Sequence, residues 1–193
     1  MSSDTRLFGR YQELVLLLLG FLLTTLLGGY LAQSWQNRAH AFEREVAHRR
    51  SEQQAATQLF EELSRLMDKR LYRMRRLHTG MADPSARGDM KNRWGAYRDT
   101  LFEWNENLNR NLALTQRYFG DEARQALELE INEGFRELGT LLEGGAYPNN
   151  GLTKYEHRQR VADRLNNLIY NFDIQLIEAI QSGEVGHFME KSG

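Results

Sequence analysis

The chain has 193 residues, with 25 Lys and Arg against 26 Asp and Glu, which gives a net charge of −1 at neutral pH. This balance argues against a general nucleic-acid-binding protein, which usually carries a basic excess. The lack of cysteine excludes disulfides, thiolate metal sites and a cysteine nucleophile. Only two prolines occur, and the many Leu, Ala, Glu, Arg and Gln residues are typical of an all-helical protein.

The first predicted element is an apolar stretch, residues 14–32, which lies in a longer uncharged region between Glu13 and Arg38. At the helical rise per residue it reaches about 28 Å, close to the thickness of the hydrocarbon core of a bilayer. It therefore predicts a transmembrane helix after a short N-terminal tail, residues 1–13. Tyr30 occupies a position where signal-peptide cleavage after Ala32 would need a small residue, so we expect the helix to be retained.

The charges on either side of this stretch bear on its orientation. Arg6 and Arg10 precede it, and Arg38 and Arg44 follow it, which is nearly a tie under the positive-inside rule. Because that rule discounts the charges of long domains, we expect a single pass through a bacterial inner membrane with the domain outside the cytoplasm. The near-tie leaves the opposite orientation open.

Small residues recur at every fourth position of the same stretch, at Gly20, Thr24, Gly28 and Ala32. This spacing lets the backbones of two membrane helices approach closely, so it predicts a candidate transmembrane pairing face and a homodimer. The alternative is that glycine is simply frequent in membrane helices.

A long helix is predicted to follow, because apolar or small residues recur in steps of three and four from Ala39 to Leu77. Arg49 and Gln53 interrupt the apolar pattern near its start. We therefore assign residues 33–52 to a stalk and the rest of this helix to a bundle domain, residues 53–182. The turn-forming residues Gly80, Pro84 and Gly88 mark a break over residues 79–89.

Three more amphipathic helices are predicted, over residues 90–119, 121–143 and 153–182. Gly120 ends the first of them, Thr153 and Glu156 have the spacing of a capping box, and Gly183 ends the last. Four helices with short loops favour an antiparallel four-helix bundle. Residues 183–193 are expected to form a mobile tail.

A basic run on the long helix is a candidate interaction or anion-binding surface. Arg65, Lys69, Arg73 and Arg76 share one stripe, which is either such a surface, a solvated helix face, or a face opposite the acidic third helix. Arg70 lies on the apolar seam instead. A buried arginine needs a carboxylate or carbonyl partner, and a structural role is favoured over contact with a ligand.

Two further patterns carry weaker predictions. The Glu-x-x-His pairs Glu45/His48 and Glu184/His187 match half of a carboxylate-bridged metal site, but they fall in the stalk and the tail, which argues against a metal. An aromatic stripe either lines a small-ligand cavity or packs in the core, and its periodicity favours the core. That stripe consists of Trp94, Tyr97 and Trp104.

No catalytic, cofactor-binding or nucleotide-binding motif stands out, so the sequence predicts neither an enzyme nor a cofactor. The favoured hypothesis is a single-pass membrane protein that presents a helical bundle to a protein partner, with the lipid bilayer as its other contact and no nucleic acid. The alternative is a ligand-binding sensor or accessory module that holds a small anion near Arg70 or the basic stripe. A closed apolar core would favour the first hypothesis, and a polar cavity that includes Arg70 would favour the second.

Overall fold

The structure is a computed structural model that describes residues 4–144 and 153–186, and its description of side chains leaves out residues 4–18, 26–32, 34, 36–39 and 41. The described residues are helical and contain no strand, so the all-helical prediction is confirmed. The elements are α1 (Asp4–Ala82), a 3-10 helix (Pro84–Asp89), α2 (Met90–Gln125), a π-helical segment (Ala126–Ile131), α3 (Asn132–Leu142) and α4 (Lys154–Ser182).

The predicted membrane span is wrong. A search of the described residues finds no helix with enough length and apolar character to traverse a bilayer. The predicted single-pass location in a bacterial inner membrane is corrected with it.

The chain divides into two compact units, an N-terminal unit (Met1–Arg50) and a C-terminal unit (Ser51–Gly193). All described residues of the N-terminal unit belong to α1. Its described large apolar side chains are exposed, namely Leu19, Phe21, Leu22, Leu23, Trp35 and Phe42. The buried apolar side chains that the structure describes lie in the C-terminal unit, from Ala56 to Val185.

Within the C-terminal unit, polar contacts show how the helices run. Moving back along α1 and forward from the end of the 3-10 helix along α2, the contacts are Arg76 to Asp89, Arg65 to Glu103 and Glu52 to Arg117. Contacts with α4 have the same reverse order, from Arg75 with Asp163, through Ser64 with Asp173, to Gln53 with Ile180. The C-terminal part of α1 therefore runs antiparallel to both α2 and α4.

Local chemistry explains two of the helix ends. Thr153 and Glu156 form the predicted capping box at the start of α4, with each side chain bonded to the backbone of the other residue. Gly183 ends α4 in the left-handed conformation, with φ of 74°, and its N–H donates to the carbonyl of Ile180 at 3.3 Å. Both predictions from sequence are confirmed.

Gly120 breaks the helix in α2, as predicted, with φ of 89° and ψ of 179°, a backbone conformation that glycine alone adopts readily. The π-helical segment that follows α2 was not predicted. Each of its turns holds more residues than an α-turn, so it changes which side chains face inward.

Residues 183–186 differ from the prediction of a mobile tail. Val185 is buried at 4% exposure, and the N–H of Gly186 donates to the carbonyl of Tyr118 at 3.1 Å. This short segment therefore packs against α2. Residues 187–193 of the predicted tail lie outside the described residues.

Candidate functional site

Arg70 lies inside the C-terminal unit with only 2% of its surface exposed. Its guanidinium carbon is 4.4 Å from the ring centroid of Phe135 and 5.3 Å from that of Trp104. The two rings also contact each other, with their centroids 5.2 Å apart. The arginine thus makes two cation–π contacts, one with an aromatic residue of α2 and one with an aromatic residue of α3.

A carboxylate or carbonyl partner was expected for Arg70, and no ion pair among the described residues includes it. Its buried Nε and Nη1 atoms have no hydrogen-bond partner there. Burial lowers the pKa of Arg70 to about 10, and the nearby Tyr97 hydroxyl partly opposes this shift. The guanidinium therefore stays charged at neutral pH, and aromatic faces and a hydroxyl surround it in place of an acid.

Tyr97 reaches this place because Gly139 leaves room for it. A Cβ atom at Gly139 would lie 3.0 Å from the Tyr97 hydroxyl oxygen. Burial raises the pKa of Tyr97, so its hydroxyl stays protonated at neutral pH. Trp104 donates its indole N–H to Asn132 Oδ1 at 3.1 Å. Tyr97 and Trp104 are buried and Trp94 partly so, which fits the interpretation of the aromatic stripe as core.

The first half of the basic stripe contacts α2. Arg65 and Lys69 both bind Glu103, with N–O distances of 3.3 and 2.5 Å. Hydrogen bonds from Lys69 and then Arg65 lower the pKa of Glu103. The idea that this stripe faces the acidic third helix is wrong for these two residues, because their acidic partner belongs to the second.

The second half of the stripe, Arg73 and Arg76, lines a cleft where α1, the 3-10 helix and α2 meet. Arg93 of α2 also lines it and donates from Nε to Asp89 Oδ2 at 2.9 Å. Sequence reasoning missed Arg93 and Asp89 as parts of a site. The available signal was the predicted turn over residues 79–89, which brings the start of the second helix back to the end of the first.

The other predicted patterns do not assemble a site. The described residues contain no group of three or more His, Asp or Glu side chains arranged to hold a metal. Glu45 is paired with Arg49 at 2.6 Å, and His187 lies outside the described residues.

The predicted pairing face is described in part. Thr24 donates its hydroxyl to the carbonyl of Gly20 at 2.7 Å, and a Cβ atom at Gly20 would meet nothing within 4 Å. The surroundings of Gly28 and Ala32 lie outside the description. The membrane setting of this prediction is wrong, and the pairing itself stays a prediction.

Comparisons of the chain with known protein families, with curated proteins and with solved structures give no match. The case for a function therefore rests on the geometry of this chain.

Proposed function

We propose that this chain is a non-enzymatic subunit or scaffold that joins a protein partner through its N-terminal unit, while its C-terminal unit is a helical bundle with its own core. The observation that supports this proposal is the exposure of six large apolar side chains in the N-terminal unit. They are between 50% and 74% exposed and consist of Leu19, Phe21, Leu22, Leu23, Trp35 and Phe42.

Four of these residues lie within five consecutive positions, which distinguishes them from the single exposed apolar residues found on any protein. Leu19, Leu22 and Leu23 have the i, i+3, i+4 spacing that places side chains on one face of a helix. Such a face is the part of a helix that a partner's hydrophobic groove or a second helix covers. Removal of this apolar surface from water favours association by about 25 cal/mol for each Å², from which the entropic cost of association is subtracted.

The alternative function, a small anion held at Arg70, has less support. The rings of Phe135 and Trp104 already contact its guanidinium, and an anion would have to displace them. The surroundings of Arg70 are those of a packed core, because Phe135 and Trp104 are 0% and 2% exposed.

Site-specific photo-crosslinking in cells tests the proposal. A benzophenone amino acid replaces Leu22 in the full chain, and the matched control carries it at Phe102, an exposed aromatic residue of α2. We expect a discrete protein adduct from position 22, identified by mass spectrometry, and none from position 102. Adding Leu19→Gln and Leu23→Gln should abolish the adduct, since these changes remove the apolar face. Equal adducts at both positions, or none at position 22, would contradict the proposal.

A further inference from the structure

A cleft of about 190 Å³ opens where the end of α1 meets the 3-10 helix and the start of α2. We call it the arginine cleft, and its lining residues are Arg73, Arg76, Asp89, Asn92, Arg93 and Ala96. A cavity of about 150 Å³ accommodates a benzene molecule. The arginine cleft therefore has room for a tetrahedral oxyanion and some of its water.

The charge of the arginine cleft is positive. Three guanidinium groups face one carboxylate among the lining residues, so the net charge is three minus one, or +2. Hydrogen bonds from Arg93 and Asn92 lower the pKa of Asp89, which is therefore ionised at neutral pH and already counted. Guanidinium groups match the geometry of phosphate oxygens, and a charge of +2 complements a doubly charged anion.

Two of the arginines are held in place before any ligand binds. Asp89 Oδ2 accepts a hydrogen bond from Arg93 Nε at 2.9 Å and lies 3.6 Å from Arg76 Nη2. Arg93 Nη1 also donates to the main-chain carbonyl of Arg76 at 2.9 Å. Gly80 makes this approach feasible, because a Cβ atom there would lie 2.7 Å from Arg93 Nη1. Such preorganisation reduces the entropy that binding would cost.

The third arginine, Arg73, differs from the other two in its partners. No ion pair among the described residues includes it, and its buried Nε has no hydrogen-bond partner within the described part of the chain. Its guanidinium carbon lies 5.8 Å from the ring of Tyr72. With no ion pair among the described residues, the Arg73 guanidinium is available to an oxyanion in the cleft that it lines.

The start of α2 adds to the same potential. Asn92 and Arg93 belong to the first turn of this helix, and Asp89 at the N-cap makes no capping bond with its side chain. The positive end of the helix dipole therefore lies at the arginine cleft.

From these observations we infer that the arginine cleft binds a phosphate-class oxyanion, and that Arg73, Arg76 and Arg93 contact this oxyanion. This function is separate from the proposed docking of a protein partner, which uses residues of the N-terminal unit.

Isothermal titration of the full chain with inorganic phosphate, at constant ionic strength set with sodium chloride, tests the inference. We expect one saturable site, and Arg73→Gln and Arg93→Gln should each weaken it by at least about tenfold, as expected for the loss of a charge-assisted contact. The matched control is Arg164→Gln, which removes the same charge from an exposed pair with Glu137 outside the cleft. Absence of saturable binding, or equal weakening in the control, would overturn the inference.

Gly80→Ala separates position from charge. The added methyl group should displace the Arg93 side chain, so phosphate binding should weaken several-fold although the net charge is unchanged. Circular dichroism checks that the variant keeps its helix content. Wild-type phosphate affinity in this variant would show that no built site exists.

Two more titrations define the class of ligand. Tighter binding of O-phosphoserine than of free phosphate would indicate that the natural ligand is a phosphoryl group on a larger molecule. Tighter binding of free phosphate would indicate that the natural ligand is the ion. Sulfate should compete with phosphate, because it has the same shape and carries a double charge. Chloride that competes as well as sulfate would reduce the effect to charge screening and overturn the inference.

Discussion

The guanidinium carbon of Arg70 lies 4.4 Å from the ring centroid of Phe135, and both residues are buried in the core of the C-terminal unit. A desolvated cation–π contact contributes roughly 2 kcal/mol. Arg70 makes a second such contact with Trp104, but burying a charge costs several kcal/mol, so the two contacts offset only part of that cost. Arg70 therefore occupies the core at a net loss of stability that an apolar residue would avoid.

We predict that Arg70→Met leaves the free energy of unfolding unchanged or raises it by up to about 3 kcal/mol, since methionine fills much of the space without a buried charge. Arg70→Ala should lower it by about 2–4 kcal/mol, because alanine leaves a cavity between the rings. Urea unfolding measures both. As a control, Arg65→Ala removes an exposed pair and should cost less than about 1 kcal/mol. Equal losses in the methionine and alanine variants would show that the charge itself is needed.

The position of Arg70 could be predicted from sequence, but its partners could not. Helical periodicity depends only on nearby residues, so it places Arg70 on the apolar seam with Met67 and Met74. Phe135 and Trp104 come from two other helices, and a cation–π contact has no signature at a fixed sequence spacing. The expectation of a carboxylate therefore came from a general rule about buried charges rather than from a pattern in this chain.

The second prediction concerns His78, which stacks on Tyr155 with ring centroids 4.3 Å apart and has its Nε2 atom 3.2 Å from Gln159 Oε1. Burial, and then the charge of Arg158, lower the pKa of His78 in the folded protein. Between this lowered pKa and the ordinary value of 6.5, the unfolded chain therefore binds more protons than the folded chain. The contribution of His78 to stability is present above pH 6.5 and is lost as the pH falls through the lowered pKa.

His78→Phe keeps an aromatic ring against Tyr155 and removes the titrating group. We expect the variant to lose less stability than the wild type between pH 7 and pH 5, measured as free energies of unfolding in urea. His40→Phe, at an exposed position in the N-terminal unit, is the matched control for the replacement of a histidine by phenylalanine. A wild-type pH dependence in the His78→Phe variant would contradict this assignment.

The third prediction concerns Asp173, whose pKa is raised by burial, with a hydrogen bond from Ser64 in opposition. Its Oδ1 atom is buried without a described partner. The folded state then binds more protons than the unfolded state at pH values above 3.8. The stability that Asp173 contributes is present below pH 3.8 and is lost as the pH rises through the raised pKa.

Asp173→Asn should therefore raise the melting temperature at pH 7 and leave it nearly unchanged at pH 3, where the wild-type side chain is protonated. Thermal unfolding followed by circular dichroism measures the difference. Asp99→Asn, at an exposed position of α2, is the matched control and should have little effect at either pH. A loss of stability in the Asp173→Asn variant at pH 7 would mean that the carboxylate has a cationic partner in solution.

The helix ends and the arginine cleft show where sequence reasoning works and where it stops. Gly120, Gly183 and the capping box of Thr153 were predictable because their chemistry involves neighbouring residues. The arginine cleft combines the end of α1 with the start of α2, and the basic stripe identified only the α1 side. The apolar run near the N-terminus was assigned to a membrane from its length and its lack of charge, and the described helices do not support that assignment.

The last prediction is that residues 51–193 fold without the rest of the chain. This range is one of the two compact units, and every buried apolar side chain that the structure describes belongs to it. The fragment should be helical by circular dichroism and unfold in one cooperative transition, with a free energy of unfolding within about 1 kcal/mol of the same unit in the full chain. Non-cooperative unfolding would show that the core needs residues before Ser51. Because the arginine cleft lies within residues 51–193, the fragment should bind phosphate with the affinity of the full chain.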